Sequence, residues 1–347
     1  MRGEQPNVKR RPLALIAAAA FCLSSCSLLV RGTYPGDLAQ ARAQVNLSAD
    51  VAADHATEFS LAVVKQGGFD FVLLFSPSPF SSSSPHLLVL TPDLTVVGRY
   101  SLDALAALPP AGYGFKGSAA VARHVDGTVI VGNVEMSVVA GALVAQRKIA
   151  LPSEGVAMQG STIVGPATAS FTWSNFSAYN GTLTWDAYES DWSGVAHLSA
   201  PIGSSSVEVE GVYANPEADT VNTAWIAFRQ WSSTKAPSTT TFVRVPMDGG
   251  LSTALAGGDI LTNTAYTSFT VSGVASGSLA MTSDSIVAMD ESTKEWIRFT
   301  PDAPTNMQRI SEGSRDPSLR TAFSFSGSYY CVWDPRTETL TTYDKWW

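Results

Sequence analysis

Ile286-Val287-Ala288-Met289-Asp290-Glu291-Ser292-Thr293-Lys294-Glu295-Trp296-Ile297-Arg298-Phe299 and Tyr330-Cys331-Val332-Trp333-Asp334-Pro335-Arg336-Thr337-Glu338-Thr339-Leu340-Thr341-Thr342-Tyr343 share one pattern. Each is an apolar run, a turn opened by Asp, and a second run rich in β-branched and aromatic residues. An Asp at the first turn position can accept hydrogen bonds from its own backbone, and Thr stands three positions later in both stretches. Asp334 follows Asp290 by 44 positions. A similar strand, Asp turn and strand recur at Asp248 (243 to 255) and Asp93 (87 to 102). Weaker hairpins fall near Ala140-Gly141 and Asp191. The turns stand near 93, 140, 191, 248, 290 and 334, at intervals of 47, 51, 57, 42 and 44.

Around these turns the chain reads as strand after strand. The runs 59–65, 69–76, 86–91 and 95–102 are bounded by Gly, Pro, Ser and Asp, and the next group is 119–124, 128–133, 135–139 and 143–151. The single convincing helical turn is Ser101 to Leu108, stopped by Pro109-Pro110. Four-stranded units every 40 to 50 residues or so resemble the blades of a β-propeller, here a divergent one of about six blades. The strand near Phe59 is the expected partner of the last unit, closing the ring and removing exposed edges. The alternative is two packed β-sandwich domains with a break at 201–206. Two serine- and threonine-rich patches, 76–84 and 232–241, read as exposed hairpin loops.

The N-terminus has a different character. Arg2, Lys9, Arg10 and Arg11 precede an uncharged stretch from Pro12 to Leu23. A dozen residues are too few to span a bilayer, which takes about 20, but suit the apolar core of a signal peptide. Leu23-Ser24-Ser25-Cys26 then resembles the lipobox of bacterial lipoproteins. The resemblance implies cleavage before Cys26 and fatty acyl chains, palmitate among them, on that cysteine. Arg10-Arg11-Pro12-Leu13 also resembles a twin-arginine signal, with ordinary export preferred. The expected organisation is a signal peptide at 1–25, a lipidated Cys26 with a spacer to 56, and one propeller-like domain at 57–347. Asp37 to Gln44, inside the spacer, is a candidate short helix without an apolar stripe. Ser27, not Asp, follows the lipid cysteine, which favours the outer membrane.

Composition narrows the partners. Of the 347 residues 45% are hydrophobic and only 15% charged, so the surface is covered by small polar residues. Removing residues 1–25 takes away four Lys and Arg and one Glu, leaving 18 basic against 29 acidic residues, a net charge of −11. That excludes nucleic acid as a partner and disfavours electrostatic docking on anionic lipid. Cys22 leaves with the signal and Cys26 is acylated, so Cys331 has no disulfide partner and reads as a small buried hydrophobe.

Aromatic residues crowd between 171 and 192. Trp173, Tyr179, Trp185, Asp186, Tyr188, Asp191 and Trp192 are the candidate ligand-binding set, with Phe171, Phe176, Asn180 and Glu189 among them. Aromatic faces stack on sugar rings while carboxylates and amides take hydroxyls. The competing reading makes these residues strand-forming core, and Trp225, Phe228 and Trp231 in the next unit fit that equally. Trp173 and Trp185 are expected to share strand faces with several neighbours. Glu208 and Glu210, two apart, are expected on one solvated face. Scattered His55, His86, His124 and His197 make no metal-ligand spacing, and no catalytic residue, metal or cofactor is assigned. The expected function is a binding or scaffolding module at the cell envelope, anchored to the membrane by its lipid, with an envelope protein or a glycan as partner. The alternatives are a carbohydrate-active propeller enzyme using Asp186, Glu189 or Asp191, and a purely structural envelope protein with an apolar patch at Trp346-Trp347.

Overall fold

The computed structural model describes residues 41–76, 85–110, 121–123, 129–131, 134–148, 171–179, 182–189, 195–204, 207–213, 223–230, 238–246, 259–274, 279–282, 284–300, 303–309, 319–324 and 326–344. Its first strand is β1 (Ala41–Asn46). Six antiparallel sheets contain the described strands. Blade 1 runs in chain order through β2 (Ser60–Gln66), β3 (Phe69–Phe75), β4 (Pro85–Leu90) and β5 (Val96–Ser101). Blade 2 holds β6 (Val121–Arg123), β7 (Val129–Val131), β8 (Val134–Val139) and β9 (Ala142–Lys148). Blade 3 has three described strands, β10 (Phe171–Tyr179), β11 (Thr182–Glu189) and β12 (Val195–Pro201). Blade 4 is β13 (Val207–Tyr213), β14 (Thr223–Gln230), β15 (Thr239–Pro246) and β16 (Thr267–Ser272). Blade 5 is β17 (Ala280–Met281), β18 (Ile286–Met289), β19 (Trp296–Thr300) and β20 (Ala303–Arg309). Blade 6 combines β21 (Arg320–Phe323), β22 (Tyr329–Asp334) and β23 (Thr339–Asp344) with β1 from the other end of the chain. This succession of small meandering sheets is a β-propeller.

Alternate side chains of single strands enter different cores, and this separates the propeller from a pair of sandwiches. Phe71, Leu73 and Phe75 pack with blade 2 residues such as Val134, Met136 and Leu143, whereas Val72 and Leu74 pack with Tyr329, Cys331 and Trp333 of blade 6. In β22, Tyr330 and Val332 turn the other way, toward Val287 and Trp296 of blade 5. Ile286 and Ala288 then meet Trp225, Ala227 and Phe242 of blade 4. Each of these sheets is covered on both faces. β3 is accordingly buried at five consecutive residues, Phe71 to Phe75, where a sandwich strand would alternate between core and water. The continuous apolar runs come from this double coverage.

Three sequence expectations change. Residues 41–56, read as part of a spacer, belong to the folded unit: Ala43 to Asn46 pair with Thr342 to Thr339 as the outermost strand of blade 6. Asn46 Nδ2 donates to the Thr337 carbonyl at 2.9 Å, and Leu47 N to that of Glu338 at 2.7 Å. The stretch expected as a helix at 37–44 thus ends in strand, because β23 offers a free edge whose hydrogen bonds a helix would leave unmade. The strand after Phe59 does not close the ring; β2 begins blade 1 at the opposite edge of its sheet from β5.

The Asp turns also divide into two kinds. Those at Asp290 and Asp334 join the second and third strands of blades 5 and 6, as their alignment requires. Those at Asp93 and Ala140-Gly141 join the third and fourth strands of blades 1 and 2. Asp191 and Asp248 lie outside the described residues. Mixing two hairpin types makes the intervals uneven. The predicted helical turn forms as α1 (Leu102–Ala106), capped by Ser101 Oγ accepting from Ala104 N at 3.2 Å. Among the described residues no helix is long and apolar enough to cross a membrane.

Candidate functional site

Blade 3 carries the aromatic cluster, and its register sorts it. Trp173 stands opposite Tyr188, Asn175 opposite Asp186, and Tyr179 opposite Thr182. Across the next ladder Asp186 stands opposite His197 and Thr184 opposite Ser199. Because strand positions alternate between faces, Trp173, Asn175, Tyr179, Asp186, Tyr188 and His197 share one face. The other face holds Phe176 opposite Trp185, with Leu198 opposite Trp185 again and Ala178 opposite Leu183. Leu183 on that face is fully buried.

One face is therefore almost wholly apolar, and the other mixes aromatics with hydroxyls, amide, carboxylate and imidazole. Trp173 and Trp185, expected to share strand faces with several neighbours, stand on opposite faces, since Trp173 pairs with Tyr188 and Trp185 with Phe176. Asp191, Trp192 and Asn180 lie outside the described residues, as does Cys26. Trp225 and Phe228 of β14 are buried and belong to the core of blade 4; Trp231 is not among the described residues. In β13 a register shift between Val209 and Gly211 falls at Glu210, so the even spacing of Glu208 and Glu210 does not place them on one regular face.

Several described carboxylates are held by the fold's own donors. Arg99 grips Asp50 with two nitrogens, at 2.7 and 3.2 Å. Arg147 meets Glu135 at 2.8 Å, and Arg298 meets Asp284 at 2.7 Å. Asp290 Oδ1 accepts from Ser292 N and Thr293 N, both at 2.8 Å, and from Ser292 Oγ at 2.6 Å. Partial burial opposes ionisation of Asp290, but these hydrogen bonds together hold its carboxyl below the ordinary range. Asp334 plays the matching part with Arg336, whose backbone N and guanidinium both donate to it. Such carboxylates build turns and ion pairs. Among the described residues no three His, Cys, Asp or Glu side chains gather at metal-binding distance.

Two polar arrangements escaped sequence reasoning because they depend on distant chain segments or an unexpected turn. Arg229 of β14 is buried between blades 4 and 5. It donates to the Val274 carbonyl at 3.0 Å and Ser238 Oγ at 2.8 Å, with Glu291 Oε1 at 3.7 Å. Ser238 Oγ in turn donates to Glu291 Oε2 at 3.0 Å. His55 lies between Glu58, at 3.2 Å, and Asp54, at 3.6 Å, on the short 3₁₀ turn Ala56–Glu58 that leads into blade 1. An i, i+3 spacing was the available signal for this second group. Cys331 is fully buried, and that burial, followed by the nearby Asp70 charge, pushes its thiol far above the ordinary range, away from the reactive thiolate.

No family model and no curated protein matches the chain. Among solved structures, the chain is similar to Kuenenia stuttgartiensis hydrazine synthase at 9% identity and TM-score 0.43, over 83% of this chain and 96% of that one. The Neurospora crassa Pan2 WD40 domain is similar at 8% identity and TM-score 0.42, over 88% and 95%. An auxiliary nutrient binding protein of Bacteroides thetaiotaomicron is similar at 10% identity and TM-score 0.38, over 82% and 68%. At these scores the fold assignment rests on the strand order and shared cores described above.

Proposed function

We propose that the chain is a lipid-anchored binding module of a bacterial envelope, held by acyl chains on Cys26 and recognising a glycan through blade 3. The observation that carries the ligand class is the division of β10 and β11 into two faces by register. Positions 173, 179 and 188 supply rings for stacking on sugar C–H faces, and 175, 186 and 197 supply groups for hydroxyls. Leu183, on the opposite face, is fully buried. Leu23-Ser24-Ser25-Cys26 supports the anchor, and Ser27 supports the outer membrane. A protein partner at the same face is the second occupant to test.

The experiment is a glycan-array screen of residues 27–347 beside two single variants. Trp173→Ala is expected to lose binding at least tenfold while its melting temperature holds. Trp185→Ala, on the apolar face, is expected to lower the melting temperature. Equal loss of stability in both variants, or no glycan bound, returns the whole cluster to the core and removes the glycan from the proposal.

A further inference from the structure

Two hairpin tips at one end of the propeller are apolar, and the chain leaves for Cys26 from that end. β1 and β22 flank β23 antiparallel and so run parallel to each other. Ala41 stands opposite Tyr343 and Tyr329 opposite Asp344, which puts the start of β1 beside the start of β22. Arg42 confirms the proximity, its guanidinium 5.6 Å from the Tyr329 ring and 4.0 Å from Asp344. β3, the second strand of blade 1, begins at this end, after the Gln66 to Phe69 turn, just as β22 does in blade 6. The next hairpin, Val139 to Ala142 of blade 2, abuts that turn: Val138 carbons lie 3.8 Å from where a Cβ on Gly67 would stand.

Phe69 and Val139, at the tips of these two turns, are 52% and 51% exposed. The remaining large exposed hydrophobics among the described residues, Val97 and Met307, lie on outermost strands. The opposite end presents the turns Asp290 to Glu295 and Asp334 to Glu338, whose side chains include Asp290, Glu291, Lys294, Glu295, Arg336 and Glu338.

We infer, resting on the lipid anchor at Cys26, that the propeller stands on the bilayer with the Ala41 end toward the lipid, and that Phe69 and Val139 enter the interfacial layer. The chain outside the described fold supports this occupant over others. Fourteen residues separate Cys26 from Ala41, a reach of no more than about 50 Å at full extension. Leu28-Leu29-Val30, next to the acylated cysteine, are themselves suited to the interface. Presenting the other end would require this segment to climb the height of a blade, about 20 Å for strands of six or seven residues. A mature net charge of −11 makes apolar tips, not basic residues, the means of contact with an envelope membrane. Arg42, Lys65, Asp70, Asp93 and Asp344 at or near this end stay at headgroup level. The orientation leaves the charged turns facing away from the membrane, toward partners.

The test uses the full acylated chain reconstituted in phosphatidylcholine vesicles containing doxyl-labelled lipid. Phe69→Cys, Val139→Cys and Ser292→Cys each add one accessible thiol, since Cys331 is buried and Cys26 is blocked by acylation. Each is labelled with an environment-sensitive dye. The expected result is blue-shifted emission and lipid quenching at 69 and 139, with neither at 292. Water-like emission at 69 and 139 in protein that still pellets with vesicles overturns the orientation alone. Blue-shifted but unquenched emission there overturns it too, because protein then covers the tips. If the chain with Cys26 intact pellets no better than Cys26→Ser, the anchor fails and the orientation falls with it.

Discussion

Trp333 Nε1 donates to the carbonyl of Ala56 at 3.1 Å, a bond that joins residues 277 positions apart. The indole is fully buried among Leu47, Val51, Phe59 and Leu340, where the N-terminal strand, the entry to blade 1 and the last blade meet. One side chain thus fills the closing seam of the ring and satisfies a buried carbonyl.

Trp333→Ala should therefore destabilise by about 4 kcal/mol, the cost of an emptied large aromatic site. Trp333→Phe should cost less, about 2 kcal/mol, through lost volume and an unmatched carbonyl. Urea denaturation of the two variants checks the order. A Trp333→Ala protein as stable as the parent would show that the seam does not hold the ring.

Closure by β1 gives a truncation boundary. Beginning the chain at residue 41 should leave the melting temperature unchanged. Beginning it at residue 57 exposes the long edge of β23 and should give aggregation or loss of cooperative melting. Calorimetry with light scattering tells the two apart. Equal behaviour would restore residues 41–56 to the spacer.

Arg229 ties β14 to Val274, Ser238 and Glu291 from a buried position. Arg229→Ala should cost about 3 kcal/mol, since it leaves the Val274 carbonyl and Ser238 without their donor at a buried position. Arg229→Lys should recover only part, because an ammonium cannot reproduce the fork. Chemical denaturation midpoints measure both, and full recovery by Lys would reduce the role of Arg229 to charge alone.

Asp290 predicts a pH dependence. Its carboxyl is held below the ordinary value of 3.8, so the folded state binds its proton more weakly than the unfolded chain does. The stability it contributes is full above that ordinary value and is lost as pH falls through the lower folded value. Asp290→Ala should accordingly melt earlier than the parent at neutral pH, with the gap closing below about pH 4. A gap independent of pH would locate the effect in turn geometry.

Much of this architecture was legible along the chain. The hairpin at Asp290 and its echo at Asp334, the strands of blades 1 and 2, and the Ser101-capped turn are local matters of turn chemistry and propensity. The fate of residues 41–46 was not legible. A short polar-apolar stretch has no preference strong enough to declare itself, and only the open edge of β23, almost 300 positions later, gives it one. The aromatic residues of blade 3 were visible as a cluster, but Trp173 and Trp185 were not separable until the pairing with β11 was known.

By itself the sequence determined the repeat, the all-β class and the acidic balance of charge, because each follows from neighbouring residues or composition. The tertiary structure decided which strand closes the ring, which aromatics share a face, where Arg229 finds its partners, and which end carries Phe69 and Val139. Those outcomes depend on register and on contacts between distant segments, where a shift of one residue exchanges the two faces of a strand.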